Sequence, residues 1–104
     1  MDLEAALIDA LRPAGLRERV RFRLIGGLTT KQIRDRLDPT VCAQLAGDVT
    51  NPVLASRLTL DRIEEALKAL KDKGTLKWSR VKVRASLRGK GARFIWIDAY
   101  QLVD

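Results

Sequence analysis

The sequence contains no histidine and a single cysteine, Cys42, in 104 residues. The missing histidine removes the commonest general base and the commonest metal ligand. One cysteine cannot form an internal disulfide, and Cys42 has no second cysteine or histidine with which to hold zinc. We therefore expect a protein that is not an enzyme, without cofactor or metal, from a reducing cytoplasm (associated with the nucleoid if the organism is prokaryotic).

Long apolar runs are also absent. No stretch approaches the length of a membrane span, and the acidic start, Met1-Asp2-Leu3-Glu4, is unlike a signal peptide. Apolar residues make up 46% and charged residues 32% of the chain, values typical of a globular domain rather than a disordered one. The sequence thus predicts one domain over residues 1–104, with no membrane partner.

Positive charge is abundant and unevenly placed. Lys and Arg total 20 against 13 Asp and Glu, a net charge of +7. The segment from Lys77 to Arg93 holds seven basic residues and no acidic one, so the rest of the chain sums to zero. A surplus gathered in one short segment is typical of an element that binds a polyanion. The alternative is a solvated hairpin whose charges only protect an edge strand from aggregation.

Apolar spacing predicts two helices at the start of the chain. The first helix is predicted to end before Pro13. Its apolar residues recur every three or four positions, at Leu3, Ala6, Leu7, Ala10 and Leu11. This face is expected to pack on the core, and a homodimer seam is the alternative. Residues 16–25 alternate partly like a strand, but we assign a helix because Gly26-Gly27 supplies a stop signal.

Two further helices are predicted from their capping signals. Thr29 and Gln32 form a capping box, and Asp38-Pro39 ends that helix. Leu58-Thr59 repeats the pattern, so a helix is expected from a cap at Thr59 to Gly74.

The stretch between these two helices, residues 38–57, is treated as an insertion. We expect a short helix from Val41 to Ala46 that ends at Gly47. Asp48–Pro52 then has the composition of a turn, and Val53-Leu54 is expected to return to the core.

After Gly74 the apolar period changes from about 3.6 to 2, which predicts a β-hairpin over residues 75–103. A phase shift near Ser79-Arg80 predicts a bulge or a bend, and Gly89-Lys90-Gly91 predicts the tip. One strand face is expected to carry Lys82, Arg84 and Arg88, opposite Val81, Val83 and Leu87. Trp78, Phe94 and Trp96 are assigned to the core because each stands beside aliphatic residues in a two-residue period.

Two segments carry a resemblance. Leu16–Leu37, LRERVRFRLIGGLTTKQIRDRL, resembles the first two helices of a winged helix-turn-helix domain, and Leu58–Trp78, LTLDRIEEALKALKDKGTLKW, is similar to the third helix of that family entering its wing. The resemblance implies an α+β winged helix: a three-helix core over 16–74, an additional N-terminal helix over 1–12, and a C-terminal two-stranded β-hairpin wing. It also implies a third helix in the DNA major groove and a wing on phosphate or the minor groove.

Two features depart from that pattern. The connection of about twenty residues before the third helix is long where the family has a tight turn. Asp61, Glu64 and Glu65 also cluster in the half of the third helix that would enter the groove, where carboxylates repel phosphate.

The leading hypothesis is double-stranded DNA binding through the wing and third helix, in transcription regulation or in replication, partition or recombination. RNA is a further partner class, because phosphate contacts do not distinguish the sugar. The alternative is a winged-helix protein–protein interaction module with little or no DNA binding, which the acidic third helix supports. The candidate DNA contacts are Lys31, Arg34, Arg62, Lys68, Lys77, Arg80, Lys82, Arg84, Arg88, Lys90 and Arg93.

Overall fold

A computed structural model describes residues 2–86 and 92–103. Its helices are α1 (Leu3–Leu11), α2 (Leu16–Ile25), α3 (Thr30–Arg36), α4 (Pro39–Ala46) and α5 (Pro52–Asp72). Its strands are β1 (Leu28–Thr29), β2 (Leu76–Ser86) and β3 (Ala92–Leu102), in one antiparallel sheet of order β1-β3-β2. The α+β class is confirmed. The predicted C-terminal pair of strands is present as β2 and β3, and β1, which the sequence did not predict, adds a third strand.

Helix α1 packs on the core of its own chain. Asp2 caps it by accepting a hydrogen bond from the Ala5 amide at 3.2 Å. Leu7 and Leu11 are 0% and 1% exposed, whereas Leu3 is half-buried. The proposed homodimer seam through these three leucines is therefore wrong, since two of them are already covered by this chain.

Helix α2 ends, as predicted, at Gly26, which takes the left-handed conformation with φ +86°. Phe22 is its one buried residue. Arg36 of α3 holds the helix in place: its guanidinium pairs with Glu18, donates to the Arg12 carbonyl at 2.9 Å and lies 5.4 Å from the Phe22 ring centroid. The buried Phe22 ring and the contacts of Arg36 thus help to fix α2 to the body.

The predicted capping box of α3 is confirmed. The Thr29 hydroxyl accepts from the Gln32 amide at 3.3 Å, and the Gln32 side chain accepts from the Thr29 amide at 3.0 Å. Because Thr29 also belongs to β1, this cap fixes the angle at which the chain turns from the sheet into α3.

Residues 38–57 are mostly helical. Helix α4 ends at Gly47 as predicted, but α5 begins at Pro52 rather than at Thr59. Asn51 caps α5 by accepting from the amides of Val53 and Leu54, and both of these side chains are exposed rather than returned to the core. Asn followed by Pro is a helix start as well as a turn signal, and here the helix prevails.

Thr59 lies inside α5, where its hydroxyl donates to the Ala55 carbonyl at 2.8 Å. It is buried together with Ile63, Leu67 and Leu70, one face of the helix at three- and four-residue spacing. Lys73 binds Glu4 at 2.8 Å and so joins the end of α5 to α1. Within residues 2–86 and 92–103, no helix combines the length and apolarity that crossing a membrane requires.

Strand β1 attaches the hairpin to the helices. Leu28 pairs with Tyr100 and Thr29 pairs with Ala99, and all four residues are buried. The chain reaches this position through Gly27, whose φ is +102°. A Cβ there would lie 2.2 Å from the Tyr100 carbonyl oxygen, so only glycine permits this approach.

Strands β2 and β3 pair without interruption from Leu76–Leu102 to Ser86–Ala92, so of the predicted bulge or bend the bulge is wrong. The shift in apolar phase has another cause. Near the helices, the face with Leu76 and Tyr100 is buried. Beyond Ser79, whose hydroxyl donates to the Gly26 carbonyl at 3.2 Å, the opposite face carries the aliphatic side chains. The strand keeps its register while its apolar side changes.

We predict that Gly27→Ala lowers the free energy of unfolding by at least about 2 kcal/mol, because it adds backbone strain and a clash with the Tyr100 carbonyl. Denaturant unfolding followed by circular dichroism would measure this. Gly15→Ala is the matched control, since φ there is 169° and a Cβ meets nothing within 4 Å. Equal stabilities of the two variants would contradict the role given to the β1–β3 pairing.

Candidate nucleic-acid interface

The hairpin beyond Ser79, which we call the ribbon, comprises residues 80–86 and 92–98. Directly paired residues point to the same side of a sheet, so the register divides the ribbon into two faces. The aromatic face carries Arg80, Lys82, Arg84, Phe94, Trp96 and Asp98. The aliphatic face carries Val81, Val83, Arg93, Ile95 and Ile97. The predicted placement of Lys82 and Arg84 opposite Val81 and Val83 is confirmed.

The three large aromatic rings are not core residues, contrary to the sequence prediction. Trp78, Phe94 and Trp96 are 45%, 56% and 64% exposed. The two-residue period correctly indicates a strand. The assignment of the rings to the core further assumes that one face of this strand is covered. Among the described residues of the hairpin, the buried ones lie at its base, around Leu76 and Tyr100.

The ribbon's cations are largely free of carboxylates. Within residues 2–86 and 92–103, no acidic side chain pairs with Lys82, Arg84 or Arg93, nor with Lys77 at the base of the hairpin. Arg80 lies 3.9 Å from Asp98, and both groups are solvent-exposed enough for this contact to be weak. The positive charge of the ribbon is therefore available to an external anion.

One cation of the ribbon and one of α5 contact aromatic rings. The Lys82 ammonium lies 4.7 Å from the centroid of Phe94, and Lys71 at the end of α5 lies 4.6 Å from that of Trp78. Across the strands, Lys82 stands opposite Trp96 and Arg84 opposite Phe94. Ring faces and positive charge thus alternate over one exposed surface.

Two predicted contacts are engaged inside the chain. Arg62 donates to the Leu45 carbonyl at 2.6 Å and joins α5 to the end of α4. Arg34 donates to the Ser56 hydroxyl at 3.0 Å and lies 3.4 Å from Asp35. We leave both out of the candidate interface, because binding an anion would remove these contacts.

Four further predicted contacts lie outside the ribbon as the structure describes it. Lys68 on α5 and Lys77 at the base of β2 are exposed. Arg88 and Lys90 lie outside the described residues.

A groove of about 640 Å³ separates the ribbon from α3 and α5. Lys31 and Arg80 line it together with three carboxylates, Asp61, Glu64 and Asp98. Because the three carboxylates outnumber the two cations, the groove repels phosphate. The phenol of Tyr100 adds no charge near these carboxylates. Burial, and then Asp98 and Glu64, raise its pKa, so it stays neutral at pH 7. The groove is thus unsuited to a phosphate backbone, in contrast to the ribbon beside it.

The lone thiol is not set up as a nucleophile. Burial raises the pKa of Cys42; Arg34 opposes that shift, and Asp35 and Asp38 add to it. The group is therefore a protonated thiol at neutral pH, which is the unreactive form. In the part of the chain that the structure describes, no three His, Cys, Asp or Glu side chains converge as a metal site.

Comparison of the chain with protein-family models, with curated proteins and with solved structures finds no match.

We predict that Arg62→Ala lowers the free energy of unfolding by about 1 kcal/mol, since it removes a charge-assisted hydrogen bond that is partly exposed. Lys68→Ala, on the same helix with the same loss of charge, should change it by less than about 0.5 kcal/mol. Urea unfolding of the two variants gives the comparison. A stable Arg62→Ala protein with weakened nucleic-acid binding would return Arg62 to the interface.

Proposed function

We infer that this is a nucleic-acid-binding protein of the winged-helix class, which holds double-stranded DNA against its ribbon. The order of elements from α2 onward supports the class. A short strand follows the first core helix, the remaining helices come next, and a hairpin ends the chain. The short strand pairs with the last strand and so joins the hairpin to the helical body, which supports the assignment of the hairpin as a wing.

The observation that carries the proposal is the unpaired charge on the ribbon. Lys82 and Arg84 project from the aromatic face, Arg93 from the other, and none has a carboxylate partner within the described residues. The seven residues of each ribbon strand extend about 23 Å, roughly two thirds of one turn of duplex. Cations along such a strand can follow a phosphate backbone without reading bases.

Helix α5 has a lesser part in this proposal. Its groove-facing groups include Asp61 and Glu64, and Arg62 is bound to Leu45. Lys68 is left as an exposed cation on the helix. The balance of charge therefore favours phosphate contacts by the ribbon over entry of α5 into the major groove.

We predict that changing Lys82, Arg84 and Arg93 together to Gln weakens duplex binding at least about tenfold at 0.15 M salt. The slope of log affinity against log salt should also become shallower by about 2 to 3, because each lost phosphate contact removes about 0.9. Fluorescence anisotropy with a random-sequence duplex at several salt concentrations measures both quantities.

The matched control changes Arg17, Arg19 and Arg21 on α2 to Gln, which removes the same charge from another exposed surface. Its salt slope should stay within about 1 of the original value. If the two triple variants lose affinity equally, binding reflects net charge alone and the ribbon has no special part.

A protein–protein interaction module is the second candidate, and α2 gives it a specific basis. Leu16, Val20 and Leu24 are all exposed, at a spacing of four residues on one side of the helix. Neighbouring Arg17 and Arg21 suit an acidic partner. This candidate requires that the protein fail to bind duplex DNA and RNA at 0.15 M salt, which the same anisotropy measurement decides.

A further inference from the structure

We propose that the aromatic face of the ribbon is a stacking platform for unpaired bases, so that the protein binds single-stranded nucleic acid more tightly than duplex. The inference rests on the proposed function and names the substrate form of the same surface. Its starting point is the exposure of Phe94 and Trp96, more than half of each ring residue being open to solvent.

The rings occupy the positions that a stacking platform needs. Phe94 and Trp96 are two residues apart on β3, so they stand about 7 Å apart on the same side of the strand. Neighbouring bases of a stacked strand are 3.4 Å apart, about half that distance. A single strand that is unstacked and extended separates its bases further, so the two rings can hold neighbouring bases of such a strand.

The cations lie where the phosphates of that strand would pass. Lys82 and Arg84 stand directly opposite Trp96 and Phe94 on the adjacent strand. A base stacked on either ring brings its sugar-phosphate within reach of these long, flexible side chains. Aromatic rings with interleaved cations are the combination by which proteins hold single strands without reading their sequence.

A duplex cannot use the rings in this way. Its bases are already stacked on their neighbours, and the grooves offer only base edges. Single strands present free π-faces as well as phosphates, so they gain both contributions. The preference for single strands therefore depends on Phe94 and Trp96, whereas binding of either form depends on the cations.

The adjoining groove favours the same position of the sugar-phosphate backbone of the bound strand. Trp96 borders it together with Asp61, Glu64 and Asp98, which repel phosphate. A bound strand is thereby directed with its backbone along Lys82 and Arg84, away from α5. The carboxylates keep the strand on the ribbon and do not contribute to affinity.

Anisotropy with labelled fifteen-nucleotide oligothymidylate and a fifteen-base-pair duplex tests the platform. Phe94→Ala with Trp96→Ala should weaken single-strand binding at least about tenfold and duplex binding less than about threefold. Val83→Ala with Ile95→Ala, on the aliphatic face of the same strands, is the matched control and should leave the ratio of the two affinities unchanged. Phe94→Tyr with Trp96→Phe keeps both rings and should retain the preference.

Tryptophan fluorescence provides a second readout. The chain has two tryptophans, so Trp78→Phe leaves Trp96 as the only one. Stacking of a base on its indole should quench this emission on saturation with oligothymidylate, and saturation with duplex should not. Emission that is unchanged by oligothymidylate would overturn the platform.

The outcomes separate the two proposals. Unchanged single-strand affinity in the alanine variant, with loss of binding in the Lys82, Arg84 and Arg93 variant, overturns the platform and leaves the proposed function standing. Equal loss for single strand and duplex also overturns it, since the rings would then only support the ribbon. Wild-type protein that binds neither form rejects both. A dimer that the alanine variant dissociates, without change in single-strand affinity, would assign the rings to contact between two copies.

Discussion

The arrangement depends on the pairing of β1 with the carboxyl-terminal half of β3. Two residues, Leu28 and Thr29, bring Ala99 and Tyr100 into the core and so fix the hairpin to the helices. Because β1 ends after these two positions, the rest of β3 has β2 as its single neighbour in the sheet described here. The core ends at about the same level. The ribbon is therefore well paired, with an exposed aromatic face and an aliphatic face that is half-buried at Val81, Val83 and Ile97.

Charge is distributed according to the same division between body and ribbon. Arg34, Arg36, Arg62 and Lys73 each join two elements of the body through carbonyl, hydroxyl or carboxylate groups. These contacts use basic residues for assembly, whereas Lys82, Arg84 and Arg93 of the ribbon have no carboxylate partner among the described residues. The same is true of the exposed Arg17, Arg19 and Arg21 on α2. The carboxylates of α5 face the groove next to the ribbon, which makes the boundary between the two regions electrostatically sharp.

Much of this fold could be predicted from local signals. The capping box of Thr29 and Gln32, the end of α2 at Gly26 and the end of α4 at Gly47 follow from short-range chemistry that the sequence displays directly. The start of α5 could not be predicted, because Leu58-Thr59 carries a capping pattern as good as Asn51-Pro52. Inside the longer helix, Thr59 satisfies its hydroxyl through Ala55 instead.

The candidate interface shows a different limit. Period-two alternation indicates that Phe94 and Trp96 share a strand face, and that much is correct. Whether this face is covered depends on where the helices end relative to the hairpin, which is a tertiary relation without a local signal. Strand β1, with two residues, is also too short for alternation to reveal. The exposure of the aromatic rings, on which the proposed preference for single strands depends, could thus not be predicted from the sequence.

An interface built from phosphate contacts and stacking has a consequence for specificity. Neither interaction depends strongly on which base is present. Sequence would have to be read by α5, whose groove-facing Asp61 and Glu64 can accept from the cytosine amino group but repel the backbone that must approach first. The distribution of charge therefore favours binding that tolerates many sequences. Among the roles considered for the proposed function, replication or recombination fits such binding better than regulation at a defined operator.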